Sequence, residues 1–177
     1  MRHAVRNVPA PMIQPRPPAT ALHDARELRN ALGAFATGVA IVTAAADDGA
    51  HGLTINSFAS VSLDPPLVLW SLDKRSHSLA AFEVASTFAV NVLGRHQVDL
   101  ARRFARPAAS RFAGVSYAEG LNGAPLIHDC IACFECRRVA AHEGGDHIVF
   151  VGRIERYRAD HRSPLVFSRG EFGGFAP

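Results

Sequence analysis

The 177-residue chain lacks the roughly 18 uninterrupted apolar positions that a membrane-spanning helix needs, so no membrane partner is predicted. It has no G-x-S-x-G elbow and no H-E-x-x-H, which leaves out the commonest serine-hydrolase and zinc-protease machinery. A Walker loop is missing too, as is a G-x-G-x-x-G after the first strand, so a nicotinamide dinucleotide is not bound here in the Rossmann manner. There is no internal repeat and no block of like charge. The net charge of +3 and pI near 9.1 come from scattered arginines, which do not point to nucleic acid and suit an anionic small molecule equally well. The N-terminal stretch has no continuous apolar core of the signal-peptide kind. Residues 1–21, with Pro9, Pro11, Pro15, Pro17 and Pro18, read as a disordered tail before a single domain over 22–177, and the protein as cytoplasmic. Arg2, Arg6 and Arg16 without an acid also fit a transit segment, which the prolines oppose.

Cysteine is scarce: Cys130, Cys133 and Cys136 stand two residues apart from one another. Their surroundings read as a strand, which puts Cys130 and Cys136 on one face and Cys133 on the other, with no local fourth ligand. Buried thiols are the expectation, and a metal site is not.

What is present is short β-runs around one stretch, Gly52 to Val68. Thr54, Asn56, Phe58, Ser60 and Ser62 share one face of an extended strand; Leu53, Ile55, Ser57, Ala59, Val61 and Leu63 share the other. The polar face carries small donors and acceptors where an exposed strand usually carries charge, as suits a planar polar ligand. Pro65-Pro66 turns the chain into Leu67 to Leu72. Upstream, Asp24-x-x-Glu27 predicts the start of a helix to Phe35 that packs Leu28, Leu32 and Phe35 on the core. Val39 to Ala45, the turn Asp47-Asp48-Gly49 and the central stretch predict a hairpin.

Downstream, Ser71 to Ser78 is a polar loop before a short helix, Leu79 to Ala85, capped by Ser76 or Ser78. With Lys74 and Arg75 its N-terminus offers either a phosphate cradle or a solvated turn. Thr87 to Leu93 is a buried strand, Gln97 to Phe104 a helix, and Ser110 to Leu126 irregular. Ile131 to Ala141 and Ile148 to Tyr157 form a second hairpin, whose turn ends at His147. The economical architecture is mainly β, a closed or nearly closed antiparallel β-barrel with short helices.

Taken in order, Gly38 with Val39 to Thr43, Gly52 to Ser62, Asp64-Pro65-Pro66-Leu67-Val68, Ser76-x-Ser78, Phe88 to Leu93, Arg103-Phe104, Gly145-Asp146-His147 and Pro164 to Phe172 resemble the short-chain flavin reductases. These are the reductase components of two-component flavin-dependent monooxygenases. The resemblance implies an FMN-binding split β-barrel of antiparallel Greek-key type, a homodimer, FMN or FAD as flavin, NADH or NADPH as co-substrate, and a separate monooxygenase that uses the reduced flavin. By similarity, Gly52, Leu53, Thr54, Asn56, Ser57 and Ser60 edge the isoalloxazine. Ser71, Leu72, Asp73, Lys74, His77 and Ser78 lie along the ribityl and phosphate, and Arg103 and Phe104 are flavin-side positions. His147 and Ser168, Arg169, Gly170 and Phe172 face the nicotinamide nucleotide, where Arg169 could take a 2′-phosphate. A non-catalytic flavin carrier or sensor on the same barrel is the alternative. A pyridoxamine phosphate oxidase shares the barrel, but its basic substrate-phosphate cluster is not seen.

Overall fold

The computed structural model describes residues 24–107 and 111–174. In chain order these form α1 (Ala25–Leu32), β1 (Thr37–Gly38), β2 (Ala40–Ala46), β3 (Gly49–Ile55), β4 (Ala59–Leu63), β5 (Pro66–Asp73), α2 (Leu79–Val84), β6 (Thr87–Val92), α3 (Val98–Phe104), β7 (Tyr117–Glu119), β8 (Pro125–Ile127), β9 (Ala132–Gly144), β10 (His147–Ala159), β11 (Val166–Ser168) and β12 (Glu171–Gly173). The fold is mainly β. Seven strands pair in the order β3-β2-β6-β9-β10-β5-β4, all antiparallel. β1, β11 and β12 form a small separate sheet, and β7 pairs β8. The span expected to be irregular therefore holds a short hairpin. Among the described residues no helix is long and apolar enough to cross a membrane.

Period-two burial sets the layers. Along β5, Val68, Trp70 and Leu72 point inward and are buried, while Leu67, Leu69, Ser71 and Asp73 face out and are less covered. Trp70 stacks on Phe150 at 4.8 Å between ring centroids and meets Phe82 and Phe88 edge-on. These rings, with Val42, Val90 and Cys136, fill one side of the sheet. β2 is buried on both faces: Val39 and Ile41, one at its start and one within it, pack on the other side with Leu93, Phe104, Ile127 and Leu165.

Three expectations change here. The helix begins as predicted, with the Asp24 carboxylate accepting from Arg26 N–H and Glu27 N–H, but its apolar side is not on the core. Leu28, Leu32 and Phe35 are 44, 67 and 79% exposed, because α1 is tied to the rest of the chain mainly at its C-terminal end, where Gly33 O accepts from Arg169 N–H and the Ser168 hydroxyl. The Gly52 to Ser62 stretch is two strands. The chain breaks at 56–58 and crosses from β3, at one edge of the sheet, to β4, at the other. Cys130 precedes β9 and packs with Ile127 and Leu165, away from Cys136, so the three thiols lie in three separate packing clusters. Burial pushes the Cys130 thiol up to about 11 and those of Cys133 and Cys136 up to about 12.

Candidate functional site

The crossing from β3 to β4 opens the site. β3 pairs β2 on one side only, and β4 covers β5 only as far as Leu69. The outer edge of β3 at residues 53–55 and the outer edge of β5 at residues 71–73 are therefore not joined by strand pairing, and both line one cleft of about 260 Å³ together with Asn56, Ser57, Ser76 and His147. One side chain bridges the gap: the Ser57 hydroxyl donates to Ser71 O (3.2 Å) and accepts from Ser71 N–H (3.0 Å). Backbone N–H and C=O groups at open strand edges require partners. A flat heterocycle with donors and acceptors around its rim meets that requirement, so the residues present fit a flavin.

The hydroxyls expected to face a ligand are partly committed elsewhere. Thr54 Oγ1 donates to Ala101 O at 2.6 Å, pinning β3 to α3. Gly52 is needed for packing: a Cβ there would lie 2.9 Å from Phe104 Cε1 and 3.0 Å from Phe112 Cζ. Ser60 lies exposed on β4, away from the clefts, because the break in the stretch carries it to the opposite sheet edge.

His147 is the first residue of β10, directly after the two-residue turn Gly145-Asp146, with Gly145 at φ +72°. It sits across from Asp73 of β5. Its Nδ1 is 2.8 Å from the Asp146 carboxylate, and that hydrogen bond draws the Asp146 pKa below the usual carboxylate range. A neutral ring donating from Nδ1 presents Nε2 as an acceptor.

The cleft continues into a second of about 430 Å³, which shares Leu53, Thr54, Asp73 and Ser76 with the first and adds Arg75, His77, Phe104 and Arg111. The loop cations are engaged with acids. Arg75 donates three times to the Asp73 carboxylate, holding its pKa far below the ordinary value, and Lys74 pairs with Glu143. Ser78 is at the N-cap of α2 without a side-chain capping bond, and Ser76 Oγ accepts from Ser78 N–H; neither hydroxyl caps α2 as expected. Arg103 donates to Ala113 O, bracing the segment after α3, and Phe104 is buried at the cleft wall.

Sequence reading missed Arg111. Its Nη1 donates to Gly52 O (2.7 Å) and its Nε to Arg106 O (2.9 Å), and burial lowers its pKa. It stands 59 positions from the carbonyl it holds, so no local pattern signals it. Ser168, Arg169, Gly170 and Phe172 line none of these clefts. Ser168 and Arg169 bond Gly33, and Phe172 packs on Phe167 with the Arg102 guanidinium 5.9 Å above its ring.

A family model described as a flavin reductase like domain matches residues 32–176. The chain belongs to the flavin reductase-like family. It is 50% identical over 155 residues to the FMN reductase (NADH) SmoA of Agrobacterium fabrum, covering 86% of this flavin reductase-like chain and 87% of that one. It is 42% identical over 153 residues to the reductase component of the flavin-dependent trigonelline monooxygenase of Acinetobacter baylyi, spanning 86% of this chain and 49% of that longer protein. Among solved structures, the NADH:FAD oxidoreductase SgcE6 of Streptomyces globisporus, in complex with NAD and FAD fragments, superimposes with a TM-score of 0.86 at 38% identity, covering 91% of this chain and 98% of that chain.

Proposed function

We propose that this protein is an NADH-dependent flavin reductase that supplies reduced flavin to a separate monooxygenase, with the flavin ring seated between the open edges of β3 and β5. The pair of unjoined strand edges facing one cleft carries the assignment. When bound there, the flavin accepts a hydride from reduced nicotinamide, so the chain itself needs no acid–base dyad.

The chain's residues position and shield. Backbone groups of 53–57 and 71–73 hold the polar rim of the ring, and donors at that edge stabilise negative charge as it develops. The Ser57–Ser71 bridge keeps the two edges at a fixed spacing. His147, oriented by Asp146, stands at the rim where its Nε2 accepts from the nicotinamide carboxamide; this holds the two rings in near-attack contact. Lys74, Arg75 and His77 flank the course of the ribityl phosphate, and Arg75 exchanges its Asp73 partner for that phosphate. Within one chain, Ser168 to Phe172 take no part in the cleft.

The gap between β3 and β5 is the split of the expected split barrel. The apolar residues left open on α1 (Leu28, Leu32) and β4 (Val61, Leu63) support the expected homodimer.

The test is anaerobic NADH oxidation by the purified protein with excess free FMN or FAD, following flavin bleaching beside NADH loss. The reductase reading expects bleaching of many equivalents of flavin. Flavin binding without NADH or NADPH consumption would leave the carrier or sensor reading instead.

A further inference from the structure

Beyond the second cleft lies a third chamber of about 670 Å³, bounded by the β2–β3 turn, the approach to α2 and the segment after α3. It opens from the second across two shared groups, His77 and Arg111. Ligand sites occupy roughly 300–1,000 Å³, a range the first two clefts together already reach. A flavin ending in one phosphate therefore leaves the third chamber unused. Its walls are nonetheless furnished. Asp48 Oδ1 holds the His51 Nε2 at 2.7 Å, which fixes an imidazole that is 20% exposed at the chamber wall, and the same bond keeps Asp48 ionised. The Phe112 ring is clamped edge-on by Phe104 (5.0 Å) and Tyr117 (5.5 Å). The Arg111 guanidinium is locked by two backbone carbonyls at the doorway.

We propose that this chamber binds an adenosine 5′-diphosphate group, the part of FAD that FMN lacks. The inference rests on the flavin reading of the adjoining clefts. Arg111 and His77 at the doorway face the diphosphate, whose second phosphate begins where a mononucleotide would end. Past them, Phe112 and Pro107 offer apolar surface to the faces of adenine, while the Asp48 carboxylate accepts from its exocyclic amine and His51 meets its polar edge. NADH carries the same group, so the test separates the two sources.

Dissociation constants for FMN, FAD and free ADP are measured by titration calorimetry on the full chain and on His51→Leu and His51→Gln, with the NADH KM measured using FMN as acceptor. We expect the wild type to bind FAD more tightly than FMN, and His51→Leu to lower the FAD-to-FMN affinity ratio at least fivefold and weaken ADP binding. His51→Gln, which keeps a donor toward Asp48, should fall between. A raised NADH KM with an unchanged flavin ratio would assign the same chemistry to the nicotinamide dinucleotide. An unchanged ratio and an unchanged KM, in variants that still bind FMN, overturn the proposal. Wild-type protein that binds neither flavin overturns the flavin reading itself, and this chamber with it.

Discussion

Replacing Asn91 isolates a buried polar knot that holds the sheet together without touching the clefts. Asn91 on β6 is 0% exposed. Its amide nitrogen donates to Ile41 O (3.1 Å), Thr43 Oγ1 (3.1 Å) and Pro125 O (3.3 Å), and its oxygen accepts from Ile127 N–H (2.8 Å) and the Cys133 thiol (3.5 Å). One side chain thus links β2, β6, β8 and β9. In Asn91→Ala, Pro125 O keeps the Thr43 hydroxyl as donor, but the buried Ile127 N–H loses its acceptor. An unsatisfied buried donor costs roughly 1–3 kcal/mol, and the vacated amide volume adds to it, for a total of about 2–4 kcal/mol. At about 2–4 °C per kcal/mol for a chain of this size, the melting temperature should fall by roughly 5–15 °C. Asn91→Asp keeps the acceptor for Ile127 but sets a carboxylate against the carbonyls of Ile41 and Pro125, so it should melt lower still. Calorimetry or circular dichroism reads the shift, and the KM for NADH reads the site, which should hold at temperatures where the variant is folded. A fall of less than about 2 °C for Asn91→Ala would refute the reasoning.

His147→Ala should raise the KM for NADH roughly three- to tenfold, the worth of about one hydrogen bond, while weakening flavin binding less; unchanged steady-state kinetics would remove His147 from the site. Gly52→Ala forces a Cβ into Phe104 and Phe112, and overpacking of this kind costs about 1–3 kcal/mol, so both melting temperature and flavin affinity should drop. A Cβ on Gly152 would lie 2.4 Å from Phe88 Cζ inside the aromatic core, so Gly152→Ala should lower the melting temperature more than Gly52→Ala does. The three thiols keep their protons in the folded protein up to about pH 11, whereas unfolded thiols ionise near pH 9. Their folded pKa values are raised, so their contribution to stability is intact below pH 9 and declines above it. Replacing all three by Ala should flatten the alkaline part of the melting-temperature profile, and a profile of unchanged slope would contradict the assignment.

Local patterns in the chain account for much of the fold. The two-residue turn Asp47-Asp48, the inward alternation of Val68, Trp70 and Leu72, the Asp24 cap and the Gly145-Asp146 turn each act over a few residues, so sequence alone displays them. The break at 56–58 was hidden because no proline or glycine marks it. It is imposed by the need to cross from one sheet edge to the other, a tertiary demand. The apolar spacing of Leu28 and Leu32 gave the helix correctly but not what covers it. Of the site, the strand segments at 52–57 and 71–73 and His147 were legible through their resemblance to a family. Arg111, and the Asp48–His51 pair that faces it across the third chamber, became visible only when the chain folded back on itself. The polar seam itself changed meaning: Thr54 and Ser57 spend their hydroxyls holding protein to protein, and the open backbone edges are what they leave for a ligand.

The central claim is that the flavin ring lies between the unjoined edges of β3 and β5. A crystal structure of the protein with bound FMN or FAD tests it most directly. The account predicts the ring's polar rim within hydrogen-bonding distance of backbone groups of residues 53–57 and 71–73, with His147 beside its open face. A flavin seated elsewhere, with those edges bridged by water or by the chain itself, would contradict it.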